Sequence, residues 1–157
     1  MAVSSPDLKA FLVSTPFFGG LSDSSLDLLV STLIERCFDV DATVVAEGEP
    51  GRSMFIVQSG ELAVIKRGNS GRVIRIAGFK PGDFFGEMTL VEMQNRSATV
   101  VAETPTVLYE LTAPNLYRYY KVDIEAYVFV MQNISRELCR RLRRADNLIA
   151  QLADTCQ

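Results

Sequence analysis

The sequence predicts a mainly β fold with flanking helices: a jelly-roll-like β-roll over about residues 34–112, helices before it, and a long helix after it. Three observations carry this expectation. Short β-rich runs alternate with glycine turns through the middle of the chain. Apolar residues recur at helical spacing towards both ends. The 157 residues are enough for one domain, 1–157, that buries roughly 70% of its unfolded surface without a metal or disulfide staple.

Taken in order, Asp7 to Val13 reads as a short amphipathic helix behind Pro6, and Ser22 or Asp23 caps a second helix with Leu26, Leu29, Val30 and Leu33 on one face. Between them, Phe17 and Phe18 read as a hydrophobic plug. Strands are expected at Cys37–Val40, Thr43–Ala46, Met54–Gln58, Leu62–Lys66, Val73–Ile76, Ala98–Val101 and Val107–Leu111. Turns at Gly48–Gly51, Ser59–Gly60, Gly68–Gly71 and Lys80–Asp83 separate them. Alternation in Glu61–Lys66 and Arg72–Ile76 gives those two strands one wet face. Ala113 to Lys121 forms a short helix with Pro114 near its start.

Asp123 caps the long helix, Ile124 to about Ala153. Ile124, Val128, Met131, Ser135, Leu138, Leu142, Ala145, Ile149 and Leu152 recur at alternating intervals of four and three, which is a heptad seam. Tyr127, Ile134 and Leu148 widen it. Part of the helix is therefore expected against its own β-domain and the rest against the same helix of a second copy, as a homodimer. The basic run Arg140, Arg141, Arg143 and Arg144 reads as solvated helix surface, with Glu137 and Arg141 an i, i+4 pair and one arginine of the run able to reach a ligand.

Composition removes several functions. The chain has no histidine, so Ser-His and Cys-His nucleophile pairs and the commonest metal ligand are absent, and neither catalysis nor a metal or cofactor is expected. Cys37, Cys139 and Cys156 are widely spaced and odd in number, which fits reduced thiols in the cytoplasm. The amino terminus lacks the basic and continuous apolar regions of a secretion signal, and no run nears the ~18 apolar residues of a membrane span, so a soluble, cytoplasmic protein is expected. A net charge of -3 argues against binding nucleic acid through the overall field.

The stretch that carries chemistry is Phe85-Gly86-Glu87-Met88-Thr89-Leu90, followed by Asn95-Arg96-Ser97-Ala98-Thr99. A glycine turn opening a short helical run presents free amides to an anion. Arg96 supplies a planar fork that matches two phosphate oxygens, and Ser97 a hydroxyl beside it. A carboxylate, Glu87, has no use for phosphate but suits a sugar hydroxyl on the same ligand. Together they ask for a nucleotide. A mutual Glu87–Arg96 ion pair in a pocket without ligand is the competing reading.

Gly48 through Leu62 resembles the first roll signature of the cyclic nucleotide-binding domain family, and Pro81 through Glu87 with Arg96 through Val100, following in order, resemble its phosphate-binding cassette. The resemblance covers nearly the whole chain. It implies that Arg96 pairs with a cyclic phosphate, that Glu87 accepts from the ribose 2′-hydroxyl, and that amides around Gly86, Met88 and Ser97 complete a cradle flanked by Phe85, Thr89 and Ala98. It implies a base wall at Ile76 and Val73, and a helical lid at Arg143, Arg144, Asp146 and Asn147. Thr89 stands where that family commonly has a very small residue, and Asn95 where it has Pro. In that family a Thr directly after the Arg can favour guanine, whereas Ser, as at Ser97, also occurs in bacterial cAMP binders, so cAMP is expected over cGMP.

The resulting expectation is a non-enzymatic receptor of cyclic nucleotide, signalling through its last helix to an unidentified protein partner. Two alternatives accompany it. One is the effector domain of an activator-type transcription regulator, although the chain ends at Gln157 with no room for a helix-turn-helix module, so DNA binding is not expected. The other is a ligand-free scaffold with a degenerate pocket.

Overall fold

A computed structural model describes residues 6–156. The extreme amino terminus, where the search for a secretion signal begins, lies outside them. No helix among the described residues is long and apolar enough to cross a membrane.

Helix α1 (Pro6–Val13) buries Leu8 and Leu12, one turn apart on one face. A 3-10 turn at Pro16–Phe18 seats both phenylalanines in the interior, as the plug reading expects. Helix α2 (Asp23–Val30) is capped by Ser22, whose hydroxyl accepts from the Ser25 amide at 3.2 Å.

Eight strands follow: β1 (Ile34–Phe38), β2 (Thr43–Val45), β3 (Ser53–Ser59), β4 (Leu62–Arg67), β5 (Val73–Phe79), β6 (Phe84–Phe85), β7 (Thr99–Ala102) and β8 (Thr106–Thr112). They form two antiparallel four-stranded sheets, ordered β1-β8-β3-β6 and β2-β7-β4-β5. A six-residue helix, α3 (Glu87–Glu92), is inserted between β6 and β7. Helix α4 (Ala113–Val122) and the 32-residue α5 (Ile124–Thr155) complete the chain.

Strand β3 shows why the site lies where it does. Its side chains alternate between two cores: Met54 and Ile56 enter the helical core, while Phe55 and Val57 enter the core between the sheets. β6 repeats the division in two residues, Phe84 facing the helices and Phe85 the roll interior. Phe84 meets Phe17 edge-on at 5.3 Å, and Phe85 stacks on Phe55 and Phe79. Gly86 and Glu87 therefore emerge where the two cores meet. With so few residues, β6 carries no periodicity and was missing from the sequence-based strands.

Two other expectations are corrected. β1 spans Ile34–Phe38 rather than Cys37–Val40: it pairs with β8 from Ile34 opposite Glu110, and it stops at Phe38 because the chain turns at Asp39–Ala42 with Asp41 in the left-handed region at φ 65°. β5 runs on to Phe79, and its residues through Gly78 are exposed on both faces, against the single wet face that alternation predicts. It is an edge strand reaching beyond the roll core.

Helix α5 has two characters. Ala126, Val130, Asn133 and Ile134 form a stripe buried against the amino-terminal helices. Asn133 donates to the carbonyls of Phe17 and Gly19, at 3.0 and 2.8 Å. The cap residue Asp123 accepts from the Ala126 amide and the Ser25 hydroxyl, joining α2 to the α4–α5 junction. From Leu142 to Cys156, in contrast, every residue is exposed.

Candidate functional site

The site is built on Arg96, which is 8% exposed. Its Nη1 donates to the Ser53 carbonyl at 2.7 Å and to Thr89 Oγ1 at 3.3 Å, and its Nη2 donates to Ser53 Oγ at 3.2 Å. The guanidinium also lies 5.7 Å from the Phe55 ring centroid. The backbone of Arg96 is fixed as firmly as its side chain. Its amide donates to Glu49 O and its carbonyl accepts from the Gly48 amide, both at 2.8 Å. Because Arg96 itself makes both bonds, Asn95 in place of Pro leaves them intact. The Gly48–Gly51 turn is thus the clamp on the arginine.

Two glycines make room for this side chain. A Cβ at Gly51 would stand 2.5 Å from Arg96 Nε, and one at Gly86 would stand 2.6 Å from Nη1 and 3.0 Å from the Ser53 carbonyl. Gly86 also has φ 82°, at the cap of α3. From the sequence its role is to admit a ligand; in the structure it admits the arginine.

Thr89 donates its hydroxyl to the Gly86 carbonyl at 2.8 Å while accepting from Arg96. The departure from a very small residue at this position therefore gives the arginine one more partner.

Arg96 has no carboxylate partner within salt-bridge distance among the described residues. Burial pulls its pKa below the ordinary guanidinium value, against the more distant pull of Glu110, Glu49 and Glu87. It remains a cation, and a buried cation without a counter-ion is costly unless an anion joins it.

Glu87 is 2% exposed and does not pair with Arg96. Its partner is Arg141 of α5, whose Nη1 donates to Glu87 Oε1 at 3.0 Å while Nη2 donates to the Phe84 carbonyl. Oε2 is buried with no hydrogen-bond partner. Burial raises the Glu87 pKa above the ordinary carboxylate value, and Arg141 opposes that rise.

Arg141 is held on both sides. Glu137 accepts from its Nε at 3.2 Å, and its guanidinium lies 5.4 Å and 5.1 Å from the Phe79 and Phe84 ring centroids. The Glu137–Arg141 pair that reads from sequence as solvated surface instead aims Arg141 inward.

The structure brings Phe85, Gly86, Glu87, Thr89 and Arg96 together at the junction of the cores. Met88 and Ser97 are exposed at its rim, and the Ser97 carbonyl accepts from Lys66 at 2.8 Å. Ala98 packs against the roll core. Val73 and Ile76 lie on the exposed edge strand. Ile76 is 52% exposed and is the extra residue of a β-bulge opposite Val64 and Ile65. The expected lid residues Arg143, Arg144, Asp146 and Asn147 are all exposed, and Arg144 lines a cleft with Phe79, Lys80 and Asp83.

Ser53, Gly51 and Arg141 were not named as site residues from sequence. The first two sit inside the Gly48–Leu62 signature. Arg141 was one of four arginines in a run that only the packing of α5 distinguishes.

Comparison with known proteins supplies the context of this geometry. The model of the cyclic nucleotide-binding domain matches residues 35–123, more than half of the chain. The cyclic AMP receptor protein of Thermus thermophilus is 31% identical over 132 residues, which cover 84% of this chain and 59% of that protein. A cAMP-dependent protein kinase regulatory subunit of Yarrowia lipolytica is 37% identical over 94 residues, 60% of this chain and 24% of its own. The crystal structure of Thermus thermophilus catabolite activator protein matches with a TM-score of 0.77 at 29% identity, over 88% of this chain and 63% of that one. The chain spans less than two thirds of the length of each.

Proposed function

The chain belongs to the cyclic nucleotide-binding domain family, and on that premise we propose that it is a non-enzymatic receptor for a cyclic nucleotide, cAMP in preference to cGMP. One observation carries the reading. Two oppositely charged side chains are buried side by side without forming a pair, and each lacks something different. Arg96 lacks an anion, and Glu87 Oε2 lacks a donor. A ribose cyclic phosphate carries both, an anionic phosphate and a 2′-hydroxyl.

In this reading the phosphate sits against Arg96 with Ser97 at the rim, and each charge-assisted hydrogen bond contributes about 1.5 to 3 kcal/mol. The 2′-hydroxyl donates to Glu87 Oε2, offsetting the cost of a buried carboxylate oxygen without a partner. Val73 and Ile76 stand as the base wall, with Arg144 and its neighbours Arg143, Asp146 and Asn147 as the lid that closes on it.

Signal transmission follows from Arg141. The carboxylate that receives the sugar already receives α5 through Oε1, so a change at one oxygen is felt by the helix holding the other. Beyond Arg141 the seam residues Leu142, Ala145, Ile149 and Leu152 are all exposed, which supports pairing with α5 of a second copy and onward signalling to a protein partner.

Calorimetric titration of cAMP and cGMP into protein stripped of nucleotide tests the proposal. Saturable heat is expected with both and tighter binding with cAMP; no heat with either overturns it.

A further inference from the structure

Behind the Arg96 cradle lies a second cleft, of about 600 Å³, that the cyclic-nucleotide reading does not use. It is formed where α3, α4 and the start of α5 meet the Gly51–Arg52 turn. Its walls are Leu90 and Met93 of α3, Tyr117 and Tyr120 of α4, and Tyr127 of α5, and Arg52 lies at its edge. This size, and a mostly apolar lining with a few polar groups, is what small-molecule sites share.

Three features point to the chemistry of an occupant. The tyrosines form a continuous aromatic wall, Tyr117 to Tyr120 at 5.9 Å and Tyr120 to Tyr127 at 5.1 Å between centroids. Two cations lie here: Arg52, which lines the cleft, and Lys121, whose Nζ lies 5.2 Å from the Tyr117 ring and 5.7 Å from that of Tyr120. Neither has a carboxylate partner among the described residues. Met93 ends α3 in the left-handed region, at φ 57°, and leaves an apolar side chain 86% exposed. Left-handed backbone is a common way to end a helix, and here it leaves the Met93 side chain exposed at the cleft.

We propose that this cleft is a second ligand site, for a small planar aromatic carboxylate whose ring lies against Tyr117 and Tyr120 and whose negative charge meets Arg52. Thr89 lines the cleft with one side and accepts from Arg96 with its hydroxyl, so an occupant would lie one residue from the phosphate cradle.

The test is titration of the full chain with naphthalene-2-carboxylate, followed by NMR, beside the uncharged analogue 2-naphthalenemethanol. Arg52→Gln and Tyr117→Ala are suitable variants because both side chains are exposed and the fold does not depend on them. Saturable one-site binding with shifts at Tyr117, Tyr120 and Met93 is expected. Loss of the charge, through Arg52→Gln or the neutral analogue, is expected to weaken binding roughly tenfold. Tyr117→Ala is expected to weaken it as well. No saturable binding at millimolar concentration, or binding indifferent to both variants, overturns the proposal. Neither outcome depends on whether the cradle binds a cyclic nucleotide.

Discussion

The stretch from Gly82 to Thr99 and the far half of α5, Leu142 to Thr155, each leave something unfinished, but they leave different things. The first buries a carboxylate with one oxygen unpartnered, Glu87 Oε2, beside a guanidinium, Arg96, that has hydrogen bonds but no carboxylate partner among the described residues. The second leaves a regular apolar seam uncovered. Unsatisfied buried polar atoms specify a ligand closely, because donors, acceptors and charge must all match. An uncovered apolar seam specifies only that something apolar covers it, with register set by its heptad. Arg141 lies between the two and is the point where they are mechanically joined.

Breaking the first region is expected to have the largest effect. Arg96→Ala removes the phosphate partner, and cAMP affinity is expected to fall by at least about a hundredfold, as a bidentate charge-assisted contact implies. Circular dichroism is expected to retain the β-roll signal. Unchanged affinity would mean the cradle is misassigned.

Next is the link. Arg141→Met leaves Glu87 buried opposite no cation. The loss in stability at neutral pH is expected to be about 2 kcal/mol, below the usual cost of breaking a fully buried pair because Arg141 is only partly covered. Denaturant unfolding of the two proteins measures it.

A pH series sharpens the same point. Glu87 has a raised pKa in the fold, so the folded state holds its proton more tightly than the unfolded chain. Its contribution to stability is present below the ordinary carboxylate range and is lost as pH rises through the raised value. The difference in unfolding free energy between wild type and Glu87→Gln is expected to change with that sign, in favour of the variant as pH rises. A flat difference would place the carboxylate in water.

The smallest effect on folding is expected in the second region. Ile149→Glu, on the exposed seam, is expected to change domain stability by no more than about 0.5 kcal/mol. It is nonetheless expected to shift a dimer to monomer in sedimentation. A monomer in both proteins would remove the seam from the account.

The two regions also differ in how much of them was legible in the sequence. That Gly86, Glu87 and Arg96 belong to one place was legible, because glycine, carboxylate and arginine at fixed spacing make a local pattern. How Arg96 is held was not legible, since Ser53 lies 43 residues away and reaches it only through the pairing of β3 with β6. Glu87 and Arg141 are 54 residues apart, and nothing local separates Arg141 from its basic neighbours. The helical seam was legible because its period is local. β5 misled for the opposite reason: its alternation is local, but its exposure is set by an edge position in the sheet.

The most direct measurement compares cAMP with 2′-deoxy-cAMP by calorimetry on stripped protein. If the unpartnered Glu87 oxygen receives the ribose hydroxyl, the deoxy analogue is expected to bind about tenfold or more weakly to wild type, and that difference to vanish in Glu87→Ala. Equal affinity of wild type for the two nucleotides would contradict the account.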